Sequence, residues 1–333
     1  MSEVRISLEA ARDLATRILV RHRTAEDNAR SVARALVAAE ADGQKGHGLS
    51  RLPAYAAQAA SGKVDGFALP VVIARASAGL RIDAGAGFAF PALDLARTEL
   101  TAVAAGSGIA AASILHSHHF GQAGYHVERL AEVGLIGLVF GNSPKAIAPW
   151  GGSQGLFGTN PIAFAAPRRG APALVIDLSL SKVARGKVMV AADRGESIPE
   201  GWALDVHGQP TTDPKAALEG TMVPMGDAKG AALVMMVEIL AAALTGANFG
   251  FEASSFFTAE GQPPGVGQFV IALDPAVFSG GAFDERLESL IEAMLAQSDV
   301  RLPGSRRLHS RARAEADGIA IPEALNHTLS GLI

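Results

Sequence analysis

Gly106-Ser107-Gly108-Ile109-Ala110-Ala111 is the stretch on which the fold turns. Its spacing matches the dinucleotide fingerprint, in which a strand feeds a glycine turn and a helix N-terminus receives the pyrophosphate. The surroundings run the other way. Pro91 to Ala105 has a helical texture and Ile109 to Leu115 reads as a strand, so the helix comes first and the strand second. The glycines are read as a helix C-cap. Any nucleotide held by this chain is held without the Rossmann turn. A second match, Gly151-Gly152-Ser153-Gln154-Gly155, fits the nucleophile-elbow spacing of serine hydrolases. No strand enters it, and Phe157-Gly158-Thr159-Asn160-Pro161 continues as loop, so that chemistry is set aside.

Working outward toward the N-terminus, the first sixty residues read as helices. Ser7 is placed to cap a helix carrying Leu8, Leu14, Ile18 and Leu19. Thr24 with Asp27 fits a capping box for a second helix bearing Val32, Leu36 and Ala39. Gly46-His47-Gly48 follows as an irregular loop, and Ser50 is expected to cap a third helix with Pro53 in its first turn. From about residue 71 short apolar runs take over: Val71 to Ile73, Leu80 to Ile82, Leu135 to Phe140, Ile162 to Ala165 and Leu174 to Ile176. Gly121 to Val133 is helix-like, and the mixture indicates an α/β or α+β core. Gly195 to Pro224, polar and studded with Pro199, Pro210 and Pro214, is expected to be a surface excursion. Ala231 to Ala247 is read as a buried helix, since Glu238 near its middle argues against a membrane span. Gln268 to Leu273 resumes the core, and helix returns from Phe283 with a break at Pro303-Gly304.

The composition narrows the function classes. The 333 residues are 49% apolar, 19% charged and 5% aromatic, with no cysteine. A chain of this size needs no metal or disulfide staple, and thiolate catalysis and cysteine-based zinc sites are excluded. The formal charge of −4 argues against a dedicated nucleic-acid partner. Glu3 and Arg5 interrupt the N-terminus, and no signal or membrane segment is read there, so a cytoplasmic location is expected.

Four basic or imidazole-bearing stretches stand out. His116-Ser117-His118-His119-Phe120-Gly121-Gln122-Ala123-Gly124 lies where a strand gives way to a helix. His116 and His118 share a strand face, a spacing open to a metal. The alternative is an anionic ligand met by imidazoles and helix N–H groups. No carboxylate partner is near, so no metal is expected. His47, between two glycines, carries a ring whose ordinary pKa of about 6.5 suits proton transfer near neutrality. Arg51, four residues on, would sit in the first turn of a helix and could hold a carboxylate. Lys229, in Gly226-Asp227-Ala228-Lys229-Gly230, precedes the longest apolar helix, a poor place for a cation unless an anion lies between. Arg301, Arg306, Arg307, Arg311 and Arg313 concentrate positive charge without interleaved aromatics, which suits a cofactor phosphate better than nucleic acid.

Together these motifs resemble one family, the non-Rossmann NAD(P)-dependent oxidoreductases of the malate/L-lactate/ureidoglycolate dehydrogenase type. The matching stretches run nearly the whole chain: Gly46-His47-Gly48 with Arg51, His118 to Gly121, Phe157 to Pro161, Asp177-Leu178-Ser179, Ala184 to Lys187 and Lys229-Gly230. Met235 to Phe251 and Arg301 to Arg307 are most similar to the Δ1-piperideine-2-carboxylate/Δ1-pyrroline-2-carboxylate reductases. The resemblance implies an α/β fold with a mixed, non-Rossmann sheet and a helical part built from both chain ends. The corresponding divisions are a helical segment over 1–70, a cofactor-binding core over 71–283 and a C-terminal helical segment over 284–333. It implies a homodimer, with NADPH, or alternatively NADH, as cofactor. His47 would be the proton donor, and Arg51, Thr159 and Asn160 would contact a small imino or 2-oxo acid. His119, Phe120, Gly121, Gln122 and Ala123 would contact the cofactor, as would Asp177, Leu178, Ser179, Ala228 and Lys229. So would the loop of Pro303, Gly304, Ser305, Arg306 and Arg307. Two positions depart from the pattern. Gly46 stands where the family usually has serine. Lys187 stands where the imino-acid reductases carry an acid and the hydroxy-acid dehydrogenases a lysine, which makes it a second catalytic candidate. The expected reaction is NADPH-dependent reduction of a cyclic imine carboxylate to L-pipecolate or L-proline. The alternatives are a 2-hydroxy-acid dehydrogenase, or a cofactor-binding homologue with attenuated catalysis.

Overall fold

The glycine pair after Ala105 ends a helix. Gly108 takes a φ of 75°, a conformation that glycine adopts without penalty, and its N–H bonds the Ala104 carbonyl at 2.8 Å. The computed structural model that shows this describes residues 2–333. Strand β1 (Glu3–Ile6) leads into helices α1 (Leu8–Arg21), α2 (Glu26–Ala41) and α3 (Leu52–Ser61). Next come β2 (Val71–Ala76), β3 (Gly79–Asp83), α4 (Ala89–Ser107), β4 (Ile109–Ser117) and α5 (Ala123–Ala131). Strands β5 (Ile136–Gly141), β6 (Ile162–Ala166) and β7 (Leu174–Leu178) precede helix α6 (Arg185–Arg194). Short pieces follow: β8 (Ala203–Leu204), β9 (Pro210–Thr211), α7 (Pro214–Glu219) and β10 (Thr221–Met222). Helix α8 (Asp227–Glu238) continues as a π-helical turn, Ile239–Ala243. After β11 (Val266–Leu273) come α9 (Pro275–Ser279), α10 (Phe283–Leu295), α11 (Ser305–Asp317), β12 (Ile319–Pro322) and α12 (Glu323–Ser330).

The central sheet has seven strands in the order β2-β3-β4-β11-β5-β6-β7. Only β3 and β4 run parallel; every other neighbouring pair is antiparallel. This is the mixed α/β sheet expected. Helices α4 and α5 pack on it through Leu100, Leu130 and Val127, against Ile82, Ile114, Val139 and Val270. Each such fully buried aliphatic side chain contributes about 2 kcal/mol relative to exposure. A second core joins the chain ends: Ile18, Leu19, Leu36, Leu52 and Tyr55 share it with Ile319, Ile321 and Leu329. Strands β1 and β12 pair antiparallel beside it, Val4 opposite Ile321.

Ser7 caps α1 as its sequence position predicts, accepting from the Ala10 N–H at 3.1 Å. Three local expectations differ from the structure. Thr24 does not cap α2; Ala25 holds the N-cap position, and Thr24 is pressed against Gly66 instead. Ser50 does not cap α3, because the chain enters it through two 3-10 turns and the Ser50 hydroxyl turns back to the Lys45 carbonyl. The stretch 195–224 is more than a surface excursion. Its strands form a three-stranded sheet, β10-β8-β9, and Ala203, Ala217 and Met222 are buried with Ile147, Leu180 and Val234 in a third core. Among the described residues no helix is long and apolar enough to cross a membrane.

Candidate active site

The His47 loop is built around a buried carboxylate. Glu40, in the last turn of α2, accepts the Leu49 N–H at 3.0 Å. Gly48 passes so close that a Cβ there would lie 2.1 Å from a Glu40 oxygen, so the crossing requires glycine. The 3-10 turns Lys45–His47 and Leu49–Arg51 then set His47 and Arg51 on consecutive turns. The His47 ring stacks on His119, centroids 5.4 Å apart and planes 14° from parallel, and its Nδ1 is buried without a partner. Burial, reinforced by the Arg51 charge, lowers its pKa to about 4. Arg51 donates from Nε to the Gly46 carbonyl at 2.7 Å and lies over the Phe257 ring at 4.5 Å. Its Nη1 is also buried and unpaired. A base and a guanidinium N–H, both without protein partners, thus come from one short segment.

Helix α3 presents Arg51, Tyr55 and Gln58 at spacings that share a helix face. The buried Tyr55 hydroxyl and His119 Nδ1 share a hydrogen bond of 2.5 Å. Gln58 donates from Nε2 to the Phe256 carbonyl at 2.8 Å, so its oxygen faces His118 Nε2, also at 2.8 Å. That nitrogen must therefore carry the ring proton. Burial lowers the His118 pKa to about 3 and holds His119 well below the ordinary value. Sequence reasoning missed Tyr55 and Gln58, although their spacing from Arg51 carried the signal. His116 faces away from this group, with φ 49° and its ring on Asp83. Among the described residues no group of three or more His, Asp or Glu is disposed to hold a metal.

Beside this cluster, hydrogen bonds and close contacts bring four predicted segments together. The Gly124 N–H, in the first turn of α5, donates to Asp177 Oδ2 at 2.7 Å. Asp177, at the end of β7, keeps solvent exposure although neighbouring protein atoms desolvate its carboxyl and push its pKa up. The Gly304 turn before α11 rests on the Val175 carbonyl of the same strand. Ser179 bonds Ser181 at 2.9 Å, and the Leu180 N–H bonds the Thr159 carbonyl at 2.9 Å. The Met225 N–H bonds the Leu180 carbonyl at 2.8 Å, which brings the start of α8, with exposed Ala228 and Lys229, to the same edge. Leu178 is exposed and Phe120 buried. Gln122 donates to Asp42 at 3.2 Å and leaves its Oε1 buried and unpaired.

Two predicted contact residues have partners within the protein. Arg307 turns inward, 7% exposed, and its fork grips Glu128 at 2.6 and 2.9 Å and Asp42 at 3.2 Å; Arg311 binds the same two carboxylates. Both carboxylates lie in the protein interior and need these cations, which is why this arginine is not left for a phosphate. Arg306 is the exposed cation of that loop. Asn160 is fully buried at φ 34°, its amide donating to Glu238 at 2.6 Å and to the Val234 carbonyl at 3.2 Å. Its amide nitrogen thereby secures the loop, while its Oδ1 stays buried without a protein partner; Thr159 beside it stays half-buried. Lys187 lies exposed in the first turn of α6 and makes no hydrogen bond or ion pair with the His47 cluster. Lys63, Phe256 and Phe257 are further residues the sequence did not flag, because a loop distant in sequence brings them in.

Comparison with known proteins finds likenesses along nearly the whole chain. The sequence profile described as malate/L-lactate dehydrogenase matches residues 6–330. The chain is 55% identical to the (2R)-3-sulfolactate dehydrogenase (NADP(+)) of Chromohalobacter salexigens, covering 96% of this chain and 95% of that protein. It is 44% identical to the Δ1-pyrroline-2-carboxylate/Δ1-piperideine-2-carboxylate reductase of Pseudomonas putida, over 96% of this chain and 94% of that one. The crystal structure of Δ1-piperideine-2-carboxylate reductase from Pseudomonas syringae pathovar tomato superimposes with a TM-score of 0.94 at 43% identity. It covers 99% of this chain and 100% of that one.

Proposed function

This chain belongs to the malate/L-lactate dehydrogenase family and is an oxidoreductase, and we propose that it interconverts a 2-hydroxy acid of the 3-sulfolactate kind and its 2-oxo acid with NADP(H). The observation that carries the reading is the pair of buried, partnerless atoms His47 Nδ1 and Arg51 Nη1. Arg51 holds the carboxylate through a charge-assisted hydrogen bond, worth about 1.5–3 kcal/mol in such settings. His47, kept neutral by burial, takes the hydroxyl proton during oxidation and returns it during reduction. Gly46 is exposed, with no atom within 4 Å of where a Cβ would sit, so no side chain at this position crowds a second anionic group. Lys187 is kept as an alternative proton carrier.

These converging segments have donors and acceptors that suit a dinucleotide. Gln122 Oε1 is an unpaired buried acceptor, Asp177 offers a carboxylate to ribose hydroxyls, and Lys229 and Arg306 have no acidic partner among the described residues. The segments 119–123, 177–179, 228–229 and 303–306 would hold the cofactor there. Bound, the nicotinamide supplies the hydride exchange at the substrate's C2. His119 stacks on one face of His47, and the buried Phe256 packs against His119 in turn. The name of the 55% identical relative supports NADP over NAD.

A second reading, reduction of Δ1-piperideine-2-carboxylate or Δ1-pyrroline-2-carboxylate, is supported by the close structural likeness to a piperideine-2-carboxylate reductase. The same residues would serve it, with His47 exchanging the proton on nitrogen. The residue type of Lys187 sides with the hydroxy acid. Initial rates with NADP+ and 3-sulfolactate, malate or lactate, beside NADPH with Δ1-piperideine-2-carboxylate, separate the two. The highest kcat/KM is expected with 3-sulfolactate; turnover of the imine alone would reverse the order. Homodimerisation is proposed from the resemblance, and sedimentation equilibrium checks it.

A further inference from the structure

Lys63 follows the last turn of α3 and is 3% exposed. Its ammonium donates to three backbone carbonyls, of Ser255 at 2.7 Å, Thr258 at 3.0 Å and Glu260 at 2.8 Å. Those bonds use all three of its donors. All three acceptors belong to one loop between the π-helical turn and β11. The loop closes at its neck, where the Asn248 N–H bonds the Gly265 carbonyl at 2.8 Å and the Asn248 amide bonds Pro264 at 3.0 Å. Residues 249–264 therefore form an Ω-loop, a compact excursion whose ends meet. Helix α3 reaches it twice more, through Gln58 to the Phe256 carbonyl at 2.8 Å and Ser61 to the Ala259 carbonyl at 2.9 Å.

The pinned loop carries two aromatic rings into the site. Phe256 packs on His118 and His119, centroids 5.3 and 5.2 Å away. Phe257 lies under the Arg51 guanidinium. Burying an ammonium is costly, and a hydrocarbon side chain would fill the space at less cost. What the charge adds is a grip on three carbonyls of a single loop, which would otherwise face one another unpaired.

We propose that Lys63 is a positioning residue: its buried ammonium fixes the 249–264 loop as a wall of the active site, so that Phe257 aims Arg51 at the substrate carboxylate. The inference rests on the reading of Arg51 as the carboxylate anchor. Lys63 touches neither substrate nor cofactor and acts through Phe257 and Arg51.

Lys63→Met keeps the stem and removes the grip. Measured with the best substrate of the panel above, its KM should rise about tenfold, the scale of one lost cation–π alignment. kcat should stay within about twofold and cofactor affinity should be unchanged, since Lys63 lies outside the catalytic and cofactor contacts. In Lys63→Ala, added propylammonium should restore part of the KM by refilling the carbonyl cage, whereas tetramethylammonium, which has no N–H, should not. An unchanged KM, or a parallel loss of kcat, KM and cofactor affinity without rescue, overturns the proposal. Should the Lys63 variants fail to fold, Phe257→Leu tests the other end of the same linkage. It must show the same KM rise, and an unchanged KM is equally fatal. Arg51→Lys separates the levels. If it leaves KM unchanged, the anchor reading falls and the pin with it; if it raises KM while Lys63 and Phe257 variants do not, only the pin falls.

Discussion

At His47 the protein holds an imidazole in its neutral form. The sequence suggested a mobile loop histidine with an ordinary pKa; the structure stacks it on His119 and places Arg51 nearby, which pushes it down to about 4. The missing information was the second ring, 72 positions away in sequence and therefore invisible to local reading. For oxidation the ring must be unprotonated, so kcat/KM should hold steady as pH falls and drop only near pH 4. A fall centred on pH 6.5 would show an unperturbed imidazole. The same burial has a stability consequence. His47, His118 and His126 have folded pKa values of about 4, 3 and 4 against an ordinary 6.5. Below pH 6.5 the unfolded chain takes up protons that the folded chain refuses, so stability falls as pH drops toward those values. The buried rings of His118 and His126 each contribute up to about 1.4 kcal/mol per pH unit within that window, and the partly exposed His47 less. Urea midpoints at pH 7, 5.5 and 4.5 should decline progressively; a flat series would mean that the rings are solvated.

Among the elements, the start of α11 shows what charge counting misses. Its arginines were read together as a phosphate clamp, because like residues in a row look equivalent. Helical geometry separates them: Arg306 faces solvent, while Arg307 and Arg311, one turn apart, face inward to Asp42 on α2 and Glu128 on α5. The partners come from two distant helices, so no local pattern announced them. Removing one member leaves an uncompensated buried carboxylate. Arg307→Ala should cost about 3–5 kcal/mol in urea unfolding. Arg306→Ala should leave stability within about 0.5 kcal/mol and weaken NADP(H) binding in a fluorescence titration. Equal stability losses would contradict the division of roles. By contrast, the cap at Ser7, the Gly108 terminus and the places of the main sheet strands along the chain were legible, since capping and periodicity are local properties.

Across the whole molecule, the site exists because distant parts of the chain converge. Helices α2 and α3 bring His47 and Arg51, the strand–helix joint after β4 brings His119, and the Ω-loop before β11 brings Phe256 and Phe257. The absence of a Rossmann turn was foreseeable from the reversed context of Gly106 to Ala111, and the family, with the mixed sheet it implies, from motifs spread along the chain. The identity of the acid was not. The sequence reading placed the cyclic imine first, whereas the 55% identity to a sulfolactate dehydrogenase moves the weight to a 2-hydroxy acid. The central claim is that His47 exchanges the substrate proton while the rest of the site only holds and orients. Its most direct test is His47→Ala, assayed for turnover and for NADP(H) affinity on the same preparation. kcat should fall by about 10²–10⁴-fold, the usual range for removing a general acid–base group, with cofactor affinity unchanged. Turnover retained within a few-fold of the wild type would contradict the account.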